Sequence, residues 1–150
     1  MTFLLFVVIA LGGGVALATQ SSINGRLGDA AGVLETAWLT FVLGAAISFL
    51  LYFFFEPPHA MTLFTAPKWQ LIGALFGVVY ILVSVFAVPR VGIAAATVAV
   101  ITGQLSMSLL IDHFGWLNNA EIPLSPARYL SIALLAGSMA LIYLGNRRKA

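Results

Sequence analysis

The sequence predicts an all-α integral membrane protein with five transmembrane helices per chain, and three observations predict it. Of the 150 residues 61% are hydrophobic and only 8% are charged, with a mean hydropathy of +1.06. Soluble domains carry roughly a quarter charged residues, whereas long uncharged apolar runs are what a bilayer selects. Second, charges and turn residues punctuate the chain into apolar runs at about 2–23, 34–55, 69–88, 91–111 and 128–145. Each is close to the ~20 residues that cross about 30 Å of hydrocarbon as a helix. Third, Trp38, Tyr52, Trp69, Trp116, Tyr129 and Tyr143 fall near the ends of these runs, where amphipathic rings favour the headgroup level. The runs and their short connections form a single membrane domain over 1–150, with no room left for a soluble catalytic domain.

The first run contains Ala16-Leu17-Ala18, a small-residue pattern like a signal-peptidase site, but "MTFLLF" lacks a basic n-region and the run reads as a span. "NGRLGDAAG" (24–32) is expected to separate spans one and two, and "EPPHAMTLFTAPK" (56–68) spans two and three. Pro89-Arg90 predicts a tight turn into span four, with span three ending near Val88, because proline cannot continue the helical hydrogen-bond ladder. "NNAEIPLSPAR" (118–128) leads into span five.

Five spans place the termini on opposite sides of the membrane. One side then holds Lys68 and Arg128, and the other Arg26, Arg90, Arg147, Arg148 and Lys149. The excess of basic residues predicts an outside N-terminus and a cytoplasmic C-terminus. Without the three tail charges the count is even, which leaves dual insertion open. The tail reads as a topogenic anchor, and no nucleic-acid surface is expected. The chain has no cysteine, and its two histidines, His59 and His113, stand far apart. No metal site, cofactor or disulfide framework is expected.

Polarity enters the spans along helical faces. In span four Thr97, Gln104, Ser108 and Asp112 share a sector, in span three Gly73, Gly77, Tyr80 and Ser84, and in span one Gly13, Gln20 and Asn24. Small and hydroxyl residues on such faces commonly serve helix packing. The glutamines differ, because a primary amide brings four hydrogen-bonding positions that packing alone rarely satisfies. Gln20, Asn24, Tyr80, Gln104 and Ser108 are therefore the candidate substrate contacts. Glu35 reads as an interfacial carboxylate at the start of span two, or as a coupling site if that span begins earlier. Asp112 beside His113 reads as a loop lock or as the second candidate for coupling. In span five Ala133, Gly137 and Ala140 form a small-residue stripe, the candidate dimer face.

The strings "TQSSINGRLG", "LTFVLG", "PRVGIAAATVAVITGQL" and above all "GQLSMSLLIDHFGW" resemble the YdcZ-like family of the drug/metabolite transporter superfamily, over essentially the whole chain. The resemblance implies a five-helix unit equivalent to half of an inverted-repeat ten-helix transporter, completed by dimerisation with an oppositely inserted copy or an oppositely oriented homologous subunit. The implied setting is the inner (plasma) membrane. The four-helix small multidrug resistance transporters, related by superfamily, rely on a glutamate in their first span, whereas Thr2 to Ile23 holds no acid here.

The expected function is a secondary transporter, an exporter of a small metabolite or drug-like compound, working by alternating access as an antiparallel dimer. The alternative is a non-transporting membrane scaffold or accessory subunit whose stripes serve only helix association. The chain carries no nucleotide-binding loop, serine–histidine pairing or paired acids within one span, so neither an ATP-driven pump nor an enzyme is expected.

Overall fold

A computed structural model describes residues 2–57 and 64–147, with side chains through Gly145. His59, Arg148 and Lys149 lie outside the described residues. Five helices account for most of the rest: α1 (Thr2–Ala31), α2 (Val33–Phe55), α3 (Gly73–Val91), α4 (Ile93–Phe114) and α5 (Pro126–Arg147). A short 3-10 helix, Lys68–Ile72, leads into α3, and another, Trp116–Asn118, follows α4. Among the described residues five helical segments are long and apolar enough to cross a membrane, in agreement with the five spans expected.

Their ends differ from expectation in three places. The first helix does not stop at Ile23, and "NGRLGDAAG" is helical as far as Ala31. Tertiary packing overrides the weak helix propensity of asparagine and glycine here, because Asn24 and Gly25 are both buried. The longer α1 consequently carries Arg26 and Asp29, which the acid-free reading of the first span leaves out. Pro89 does not end the third helix: it lies inside α3, which runs on to Val91. Proline two residues from a helix end removes only one late hydrogen-bond donor, that to the carbonyl of Val85. The fourth helix extends to Phe114, so that Asp112 and His113 belong to its last turn, closed by Gly115 in the left-handed conformation.

The breaks fall at two glycines instead. Gly32 (φ 104, ψ 150) separates α1 from α2, and Gly92 (φ 84, ψ 154) separates α3 from α4. These angles are open essentially to glycine alone. In each turn the glycine carbonyl accepts the first hydrogen bond of the next helix, from Thr36 N–H and Ala96 N–H respectively, both at 3.1 Å.

The chain falls into two compact units, Met1–Arg90 and Val91–Ala150. In the first, α1 packs closely on α3 through a reciprocal arrangement of small and branched residues. A Cβ added to Gly25 would come within 2.9 Å of Val88 Cγ1, and one added to Gly28 would overlap Val85 Cγ1. The core there is Ala37, Ile81 and Val85, with Val33, Tyr80 and Leu82 packed against it. Ser21, Asn24 and Gly25 are buried on α1 and Ile81, Ser84 and Val85 on α3. Both sets stand at the same three steps before their turn glycine, so the two helices present the same register of face.

In the second unit α4 and α5 pack together, with Ala95, Ala96 and Leu109 buried on α4. Their connection is held by the N–H of Ile122 donating to the carbonyl of Asp112 at 2.8 Å and by Asn119 Nδ2 donating to the carbonyl of Trp116 at 2.9 Å. Leu117 and Asn118 take positive φ in this segment, a strained choice for leucine.

Candidate functional site

Most side chains on these helices are apolar and face outward, as expected where lipid is the solvent. The polar groups are few, and their placement follows the helix that carries them. On α1, Ser21 and Asn24 stand one turn apart and are both buried, so they reach two different neighbours. Ser21 Oγ lies 3.4 Å from the hydroxyl of Tyr80 on α3. Asn24 Nδ2 donates to Thr40 Oγ1 on α2 at 3.1 Å, and that hydroxyl in turn donates to the carbonyl of Thr36 at 2.8 Å. These two separate contacts, one turn apart on α1, tie it to α3 and to α2, and Ser84 is buried on α3 as well.

The first unit therefore brings together two of the candidate substrate contacts, Asn24 and Tyr80, each already engaged with a neighbour. Gln20, on the same helix one turn before Asn24, is exposed. Gln104 and Ser108 lie on α4 in the second unit and are likewise exposed on the chain surface. Ala133, Gly137 and Ala140 are exposed along α5.

The two candidate coupling acids sit in different surroundings. Asp112 Oδ2 accepts a hydrogen bond and ion pair from Arg128 Nη1 at 3.1 Å, which joins the last turn of α4 to the first of α5. Beside it the His113 ring meets Phe114 edge-on at 4.8 Å, and Phe114 stacks on Trp116 at 5.2 Å. Glu35 is exposed in the first turn of α2. With Leu27 and Ala31 of α1 and Thr36, Trp38 and Leu39 of α2 it lines a pocket of about 420 Å³. Thr36 in that lining is 0% exposed, and its hydroxyl has no hydrogen-bond partner.

Arg90 folds back over the Phe86 ring, 3.6 Å from the guanidinium carbon to the ring centroid, and donates to the Phe86 carbonyl. A cation at a helix C-terminus is favoured there by the helix dipole. Among the described residues no three carboxylates or imidazoles come together as metal ligands.

Reasoning from sequence passed over Ser21, Thr36 and Thr40. Ser21 and Asn24 stand three apart and Thr36 and Thr40 four apart, each pair on a single helical face. Read together with the glycines at 25 and 28, this spacing signals a close helix crossing with polar contacts.

Compared with known protein families, residues 5–141 match the model of the family described as "Putative inner membrane exporter, YdcZ". No curated protein and no solved structure matches the chain. With five helices long and apolar enough to cross a membrane among the described residues, the chain is a multi-pass protein of the inner membrane.

Proposed function

The chain belongs to the YdcZ inner membrane exporter family, and from that premise we propose that it is a secondary transporter that exports a small metabolite or drug-like compound by alternating access. The observation that carries this reading is the exposure of Gln20 and Gln104 on membrane helices whose exposed residues are mostly apolar. An unsatisfied amide facing hydrocarbon costs several kcal/mol, roughly 2–7 by transfer data. These side chains therefore require water, substrate or another protein surface beside them.

A second copy inserted in the opposite orientation supplies that surface and makes the ten-helix inverted arrangement of a transporter. Gln20, Asn24, Tyr80, Gln104 and Ser108 contact substrate in this reading, and the small residues Ala133, Gly137 and Ala140 of α5 allow the two copies to approach closely. The charge count of five basic residues against two biases insertion toward a cytoplasmic C-terminus, and an oppositely biased homologous subunit would satisfy the same architecture.

Proton coupling falls to Glu35. Asp112 is occupied by Arg128 and acts as the lock between α4 and α5, whereas Glu35 faces an open pocket. The test is flux into proteoliposomes, screened over metabolites and organic ions at several pH values. Glu35→Gln is expected to flatten the pH dependence of flux for the substrate found, and Asp112→Asn to leave it in place. The opposite pattern would reassign the coupling acid. An absence of flux for every compound, from protein shown to be folded, would favour the scaffold alternative.

A further inference from the structure

The helices of the first unit pack together only toward their Gly32 end. There Gly25 of α1 lies against Val88 of α3 and Gly28 against Val85, and about one turn beyond Gly25 the Ser21 hydroxyl meets that of Tyr80. Toward the other end packing stops. Every residue of α1 from Thr2 to Ala16, of α2 from Phe41 to Phe55 and of α3 from Gly73 to Phe76 is exposed.

The contacting faces nevertheless continue into that exposed half. Gly28, Asn24, Leu17 and Gly13 stand on one face of α1 at spacings of four, seven and four, and Val88, Ser84, Gly77 and Gly73 repeat those spacings on α3. The first two positions of each set lie in the packed half. At Gly13, Gly73 and Gly77 an added Cβ would meet nothing within 4 Å among the described residues. Glycine weakens a helix relative to alanine, and in this structure the far glycines give no close packing in return. Gly13 and Gly73 each stand twelve residues before the crossing positions Gly25 and Val85, about 18 Å along the helix, so the two open faces lie level with each other.

We propose that α1 and α3 are a pair of arms that swing about the crossing of Gly25 and Gly28 with Val88 and Val85. The arms stand apart here, and in a second state Gly13 closes on Gly73 and Leu17 on Gly77, since small residues let helix backbones approach closely in a membrane. The crossing itself has no slack, because a Cβ on Gly28 would overlap Val85 Cγ1, so it serves as the pivot. Neither Thr2–Ile23 nor Gly73–Val88 contains a charged residue, and closing the arms buries no charge. As a gate on the path past Gln20 and Tyr80 the proposal rests on the transporter reading. As a motion of the chain it stands alone.

The experiment uses the full chain in proteoliposomes with Gly13→Cys and Gly73→Cys, its only cysteines, and a protease site inserted between α2 and the Lys68–Ile72 segment. Both cysteines are first shown to react with N-ethylmaleimide. A disulfide requires Cα atoms within about 7 Å, so its formation reports the arms in contact. After copper–phenanthroline oxidation and cleavage, the two fragments are expected to stay joined on a non-reducing gel and to separate on reduction. Gly77→Leu, which has room in this structure, is expected to cut the joined fraction about fivefold or more, because a bulky side chain holds the backbones apart, without lowering the unfolding temperature. Fragments that separate after oxidation, or a joined fraction unchanged by Gly77→Leu, would overturn the proposal. A disulfide between two chains in place of one within the chain would also overturn it and make the glycine faces an interface between copies. Oxidation is expected to stop flux of an identified substrate and reduction to restore it. Flux that continues through the oxidised protein keeps the motion and removes the gate, and a missing disulfide with flux intact removes the motion and leaves the transporter reading in place.

Discussion

The turns at Gly32 and Gly92 share a backbone and differ in chemistry. Both glycines adopt nearly the same extended positive-φ geometry, and both carbonyls cap the following helix through the residue four places on. The residues three and four places on are Glu35 and Thr36 in the first turn but Ala95 and Ala96 in the second. One helix–glycine–helix device thus serves twice. Only the first copy carries an acid and a hydroxyl at these positions, and the polar residues of the second, Thr97, Gln104 and Ser108, lie farther along α4. Glycine and small residues set where the helices approach closely, and a few polar residues make the two turns chemically different.

The largest expected effect tests the polar stripe of α4. Replacing Gln104 by alanine is expected to reduce flux of an identified substrate by tenfold or more, on the order of 1.4 kcal/mol or above in the barrier, with the protein still folded in detergent. Undiminished flux would place the path elsewhere and leave α4 a packing helix.

Next in size, Gly32→Ala and Gly92→Ala are expected to destabilise the protein to similar extents, about 1–3 kcal/mol each, because both force an L-residue into a glycine-only region. Thermal unfolding in detergent measures this. A clear difference between the two variants would show that the turns are not equivalent in strain, despite their common geometry.

These turns also show how far the sequence is legible. The five spans follow from hydropathy, because the bilayer imposes length and composition on each helix whatever it packs against. The position of the first turn does not follow, because Asn24, Gly25 and Gly28 have the local chemistry of a loop, and only their burial against Val85 and Val88 keeps them helical. Pro89 misleads for the same reason: its cost is local and small near a helix end, and Gly92 offers a cheaper place to turn. At the site, Gln20 and Gln104 stand out from sequence because amides are conspicuous among apolar residues. Thr36 does not, since threonine in a membrane helix usually serves packing, and only its buried, partnerless hydroxyl distinguishes it.

The smallest effect concerns that hydroxyl. Thr36→Val keeps the shape and removes an unsatisfied group, so it is expected to stabilise the ligand-free protein slightly, by about 1 kcal/mol, raising its unfolding temperature. A fall in stability would mean that the hydroxyl has a partner within the protein.

The account rests most heavily on two copies inserted in opposite orientations. The chain has no cysteine, so a single cysteine added after Ala150 reports the side of the membrane unambiguously. Expressed alone in intact cells and in inverted vesicles, that cysteine is expected to react with an impermeant maleimide from both sides, with the cytoplasmic fraction the larger because of the five-against-two basic bias. Labelling from the cytoplasmic side alone, in a preparation that supports flux, would contradict the inverted homodimer.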